Sequence, residues 1–154
     1  MRVGIGFDMH QVSKNRELIL GGVKIQNDYG LSGDSDGDVL IHSVIDAILG
    51  AANMGDIGSF FGVGLMGVKS LDLLKKLPDE IQNLGLSVSN IDSTVVAQTP
   101  ALSSFRTQMR ESMAKLLHID QSRVSIKFTT PKGLGPLGAS EGIAALSVVL
   151  LEEK

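Results

Sequence analysis

Polar and apolar residues alternate loosely from Arg2 to Asp8 (RVGIGFD), and the β-forming character of the stretch predicts a strand. The run ELILGGVKI, residues 17–25, predicts a second strand, or two short ones broken at Gly21-Gly22. A polar loop from Gly30 to Gly37 follows. From Asp38 to about Asn53 the apolar residues predict a helix, with Asp36 as its N-cap and Gly55 just past its end. Gly62, Gly64 and Gly67 mark a mobile loop. A second helix is expected from Ser70 to Leu84, kinked or split at Pro78. The segment IDSTVVAQ predicts a strand that Pro100 ends, and Ser103–Leu117 has the spacing of an amphipathic helix. Val124–Thr130 and Glu141–Glu152 read as the last two strands. Helices and strands alternate and the chain closes on two strands. That order predicts an α+β fold, a single-domain two-layer sandwich over residues 1–154 with a mixed β-sheet and helices on one face.

The histidines add chemistry to this frame. Asp8 and His10 stand two apart where the first strand ends, so their side chains share one side and can converge. By itself that spacing also suits a solvent-facing pair. Asp38, His42 and Asp46 fall at i, i+4 and i+8 on a helix that is otherwise almost entirely apolar. Such a helix is buried nearly all round, and a polar stripe on it needs partners. A metal held by Asp8, His10 and His42 supplies them, and three ligands of this kind leave a fourth position free, as in catalytic zinc sites. His118, near a helix C-terminus, is assigned no role beyond the helix dipole. Two other motifs fail. DSDGD at 34–38 begins like a calcium loop but has Val39 and Ile45 where Gly and Glu are required. GLGPLG at 133–138 has no room after it for the helix and acidic residue of a dinucleotide fold.

Composition narrows the class. With 154 residues, 43% hydrophobic and 20% charged, the chain has a core's worth of apolar residues, mostly aliphatic because aromatics make up 4%. The net charge is −3 and no basic block occurs, which disfavours nucleic acid or an anionic membrane as partner. There is no cysteine, so disulfides and thiolate metal sites are ruled out and a cytoplasmic location is expected. The amino-terminal MRVGIGFD reads as too short and too glycine-rich for a signal peptide. No apolar run reaches the roughly 20 residues of a membrane span.

Taken in order, GFDMH, SDGDVLIH, DAILGAA, GDIG, AQTP and KFTTPKGLG followed by EGIA resemble the 2-C-methyl-D-erythritol 2,4-cyclodiphosphate synthase family over essentially the whole chain. The resemblance implies a homotrimer with active sites between subunits and a phosphorus-oxygen lyase of non-mevalonate isoprenoid (terpenoid) biosynthesis. Its substrate would be 4-diphosphocytidyl-2-C-methyl-D-erythritol 2-phosphate, cyclised with release of CMP. It also implies zinc (Zn2+) on Asp8, His10 and His42, with Asp8 and His10 close to substrate. Ser35 matches a substrate-contacting loop serine, and Asp56, Ile57 and Gly58 the segment that holds the methylerythritol moiety. Ala97, Gln98 and Pro100 match the cytidine pocket. Thr129 and Thr130 match threonines that reach the diphosphate from the adjacent subunit, Thr130 being the catalytic one.

The chain departs from the family pattern in places. Asp34 replaces a histidine, Ala101 a lysine, and Ala139 an arginine. The acidic loop after GDIG has become FFGVGLMGVKS. Lys132 stands where the family glutamate holds a second cation, Mg2+ or Mn2+, which puts that cation in doubt; an ammonium there could replace it, or Lys132 could be a solvated loop residue. Two alternatives remain open at this point. One is a non-catalytic paralogue that binds isoprenoid diphosphates, which the glycine-rich loop favours. The other is a zinc hydrolase using Asp38 or Asp46 as base.

Overall fold

The computed structural model describes residues 1–153. Its main sheet has five strands in the order β4-β1-β7-β5-β6. They are β1 (Arg2–Ser13), β4 (Gly30–Leu31), β5 (Leu86–Val96), β6 (Val124–Thr129) and β7 (Gly142–Glu153). Every neighbouring pair is antiparallel except β5 and β6, which run parallel, so the sheet is mixed. That parallel pair needs a crossover, and helix α5 (Arg106–Leu117) lies within it. A separate hairpin joins β2 (Leu18–Leu20) to β3 (Val23–Ile25), turning through Gly21 and Gly22 at φ 58° and 74°. These are backbone values that glycine adopts without strain, and they account for the predicted break.

Helix α1 (Val39–Ala52) lies against β1 and β7, and its aliphatic side chains are the centre of the core. The contact is close because β1 offers no side chains at two inward positions. A Cβ on Gly4 would sit 1.9 Å from the Ala47 carbonyl oxygen, and one on Gly6 would sit 1.9 Å from that of Ser43. The opposite face of β1 is uncovered: Val3, Ile5, Phe7 and Met9 are 56–70% exposed. Helices therefore occupy one face of the sheet, as the pattern predicted.

Several boundaries differ from expectation. β1 runs on to Ser13, because its end pairs with β4 rather than stopping at Asp8. The N-cap of α1 is Asp38 and not Asp36: the Asp38 carboxylate accepts the Ile41 N–H at 3.0 Å. The expected 70–84 helix is two short ones, α3 (Ser70–Leu74) and α4 (Leu77–Gln82), with Pro78 in the first turn of α4, where its missing N–H costs nothing. A 3-10 turn over Ser103–Phe105 precedes α5. Two short helices were not anticipated, α2 (Ile57–Phe61) and α6 (Gly135–Gly138). Among the described residues no helix is long and apolar enough to cross a membrane.

Candidate functional site

Gly4, Gly6, Asp8 and His10 share the inward face of β1. Gly4 meets α1 at Ala47 and Ala51, and Gly6 meets it at Ser43 and Ala47. Each two-residue step along the strand thus moves toward the start of the helix. Asp8 comes level with His42, and its Oδ2 lies 3.0 Å from His42 Nδ1 and 2.9 Å from His10 Nε2. One ligand atom from each of the three residues falls within 4.8 Å of the other two. His42 is buried; Asp8 and His10 are half-buried.

The surroundings fix which nitrogens face inward. His10 Nδ1–H donates to the Ser32 carbonyl at 2.5 Å, leaving Nε2 for the centre. Burial would lower the His10 pKa, but the hydrogen bond and charge of Asp8 outweigh it, so the pKa is raised from 6.5. Burial would likewise raise that of Asp8, but the two imidazoles hold its carboxyl far below the ordinary carboxylate range. The anion faces two ring nitrogens about 3 Å away, and once those nitrogens carry no proton the three groups together offer lone pairs to one cation. A tetrahedral ion with ligands at about 2.0–2.1 Å has ligand–ligand edges of about 3.3 Å, so the arrangement suits a divalent metal after small outward shifts.

A cavity of about 390 Å³ opens over this centre. Asp34, Ser35, Asp46, Ile57, Gly58 and the Gly62–Leu65 loop line it together with the triad. Ser35 is 3% exposed, and its hydroxyl lies 3.0 Å from His42 Nε2, behind the imidazole. Asp56 is exposed and caps α2, accepting the Ser59 N–H at 2.7 Å. Asp46 receives the Ile57 N–H at 2.8 Å, which ties α2 to α1; burial, more than the nearby charges of Asp56 and Asp8, raises its pKa. Asp38 is absent from the cavity. Its fully buried carboxylate accepts the N–H groups of Ile41, Gly21 and Gly22 at 3.0, 3.0 and 2.7 Å, and burial pushes its pKa up to about 6. The hydrolase alternative loses Asp38 as a base for that reason. His118 caps α5 with φ 56°, exposed and outside the centre.

A second cavity, about 600 Å³, gathers Ala97, Gln98, Pro100, Thr129, Thr130 and Lys132. It sits where parallel strands β5 and β6 end. Gln98 Oε1 accepts the Gly133 N–H at 3.0 Å, and Lys132 holds φ 57° beside it. The two cavities have no lining residue in common.

The model of the YgbB family matches residues 1–152. The chain belongs to the YgbB family. Among YgbB relatives, the 2-C-methyl-D-erythritol 2,4-cyclodiphosphate synthase of Clostridium acetobutylicum is 48% identical over 154 residues, covering 98% of this chain and 99% of its own. The synthase of Halothermothrix orenii is also 48% identical, over 98% of this chain and 93% of its own. Among solved structures, the CDP complex of Plasmodium falciparum IspF superposes with a TM-score of 0.88 at 34% identity, over 99% of this chain and 96% of that one. The bifunctional IspDF of Campylobacter jejuni matches with a TM-score of 0.95 at 42% identity; there this chain spans 42% of the larger protein.

In this YgbB member, sequence reasoning missed residues that act through other residues. The Arg16 guanidinium donates to the carbonyls of Gly33 and Ser35 and clamps the loop over the cavity. The Tyr29 hydroxyl donates to the Thr99 carbonyl at 2.8 Å and braces the second cavity. Neither leaves a periodic mark, because both are single side chains reaching backbone carbonyls across 17 to 70 residues of sequence.

Proposed function

We propose that this protein converts 4-diphosphocytidyl-2-C-methyl-D-erythritol 2-phosphate to 2-C-methyl-D-erythritol 2,4-cyclodiphosphate and CMP, as a phosphorus-oxygen lyase of the non-mevalonate isoprenoid pathway. The observation that carries the reading is the convergence of Asp8, His10 and His42 at the floor of a cavity, in a chain matched to synthases along nearly its whole length. A 2-phosphate oxygen attacks the β-phosphorus. The bond from that phosphorus to the oxygen bridging the α-phosphate breaks, and its electron pair leaves with CMP. Such transfer depends on positioning and charge neutralisation more than on covalent catalysis. Zinc, when held by Asp8, His10 and His42, supplies positive charge that orients and polarises the phosphates.

The chain's own groups do the positioning. Ser35 contacts the substrate from its loop, Asp56, Ile57 and Gly58 hold the methylerythritol end, and Ala97, Gln98 and Pro100 seat the cytidine. The hydroxyls of Thr129 and Thr130 bond the diphosphate, with Thr130 stabilising charge in the transition state. Lys132 puts a point charge where the resemblance would place a second cation. The two cavities lack a common residue, which supports a homotrimer in which the metal half of one subunit faces the nucleotide half of its neighbour. The bare apolar face of β1 supports the same assembly. A cysteine-free chain fits a cytoplasmic enzyme of one catalytic domain.

The test is direct. Purified protein with zinc and substrate is expected to give CMP and the cyclic diphosphate, followed by phosphorus NMR. Thr130→Ala is expected to lower kcat by about a hundredfold. Zinc-loaded, trimeric protein that binds substrate without releasing CMP would overturn the catalytic reading and establish the binding paralogue.

A further inference from the structure

Behind His42, on the side away from Asp8, lies a chain of polar groups that the reaction does not use directly. Ser70, at the start of α3, is fully buried, and its Oγ lies 2.9 Å from His42 Nε2. The same hydroxyl donates its only proton to Asp36 Oδ1. The other Asp36 oxygen accepts the Ser70 backbone N–H at 3.0 Å, which locks the carboxylate in place. A serine whose proton is spent on a carboxylate offers His42 only lone pairs. A bare Nε2 would face the Ser70 lone pairs at 2.9 Å, so the ring places N–H on Nε2, and Ser35 Oγ, 3.0 Å from the same nitrogen, accepts from it as well. Nδ1 is then a bare lone pair aimed at Asp8 Oδ2, 3.0 Å away. Two acceptors that close are relieved by a cation between them, a proton or a metal ion.

We propose that Ser70 and Asp36 are positioning residues that fix the His42 tautomer, presenting Nδ1 as a metal ligand and raising its basicity. The proposal rests on the metal reading above. It concerns a part of the molecule that neither the cavity nor the triad contains: Ser70 and Asp36 line no wall of the cavity over the metal centre. It also gives a reason for the polar DSDGD loop, in which Asp36 anchors the relay while Asp38 caps α1. Asparagine at 36 should invert the arrangement. Its amide donates to Ser70 Oγ, Ser70 turns its proton onto Nε2, and Nδ1–H then faces the metal position.

The experiment compares wild type, Ser70→Ala, Asp36→Asn and the double variant by two readouts. The first is zinc affinity, from competition with a chromogenic chelator. Wild type is expected to bind one zinc per chain. Each single variant is expected to bind about 10–100-fold more weakly, and the double variant no more weakly than Ser70→Ala alone, because the two act in series. The second readout is the histidine ring nitrogen NMR shifts of metal-free protein at about pH 8.5, where free imidazole is neutral. Wild type should show His42 protonated on Nε2, and Asp36→Asn on Nδ1. Variants that keep the wild-type tautomer and zinc affinity within about twofold overturn the proposal. Wild type with the expected tautomer but no zinc overturns the metal reading and leaves the relay standing as a device that fixes the imidazole. Asp36→Asn leaves the buried serine in place, so it decides the matter even if Ser70→Ala does not fold.

Discussion

At the scale of single residues, the candidate centre offers the same three side chains to protons or to a metal. In metal-free protein the Asp8–His10 pair contributes stability. Since the His10 pKa is raised from 6.5, that contribution is complete below about 6.5 and is lost as pH rises through the folded-state value. Since the Asp8 pKa is lowered from 3.8, its contribution is present above 3.8 and is lost as pH falls below it. The metal-free Tm is therefore expected to peak between these limits and to fall from about pH 6.5 upward. Zinc needs unprotonated imidazoles, so the increase in Tm on adding zinc should grow over the same interval. Scanning calorimetry from pH 5 to 9, with and without zinc, checks both signs; a zinc increment that shrinks with rising pH would contradict the ligand assignment. Asp38 makes a different prediction. Asp38→Ala leaves the backbone N–H groups of Ile41, Gly21 and Gly22 buried without an acceptor. The expected loss is about 3 kcal/mol, read by urea denaturation.

At the scale of elements, the site depends on how close one strand and one helix can come. Gly6→Ala drives a Cβ into the Ser43 carbonyl and must push α1 off β1. A loss of about 3 kcal/mol is expected, along with less than one zinc per chain by metal analysis, because His42 moves while Asp8 stays. Much of this level was legible in sequence. Period-two parity aligned Asp8 with His10, the apolar surround of His42 argued that its helix was buried, and Pro78 marked the split between α3 and α4. The failures have physical causes. In DSDGD, Asp36 and Asp38 stand two residues apart, both capable of capping, and only the fold of the β2–β3 hairpin over Asp38 decides between them. α2 is five residues long with no buried side chain, so it has no amphipathic signature to read. Ser70 looked like any helix-starting serine, since the carboxylate that takes its proton stands 34 residues away.

At the scale of the molecule, the face of β1 turned away from α1 has no cover within the chain. Val3, Ile5, Phe7 and Met9 form a continuous apolar line along it, with Leu146 and Val148 of β7 beside them at 40% and 39% exposure. Phe7→Glu, in the middle of that line, is expected to give a folded monomer by analytical ultracentrifugation and circular dichroism, with cyclase activity lost. A monomer that keeps full activity would show the sites to be complete within one subunit.

In the proposed trimer, the separateness of the two cavities would allow inactive chains to repair one another. His42→Ala disables one compartment and Thr130→Ala impairs the other, and neither change alters a wall of its counterpart. If the two variants are unfolded together and refolded as a mixture, random rings juxtapose an undamaged half from each kind at about a quarter of their junctions. Activity would then rise in a blend above that of either preparation alone, in a proportion set by the mixing ratio.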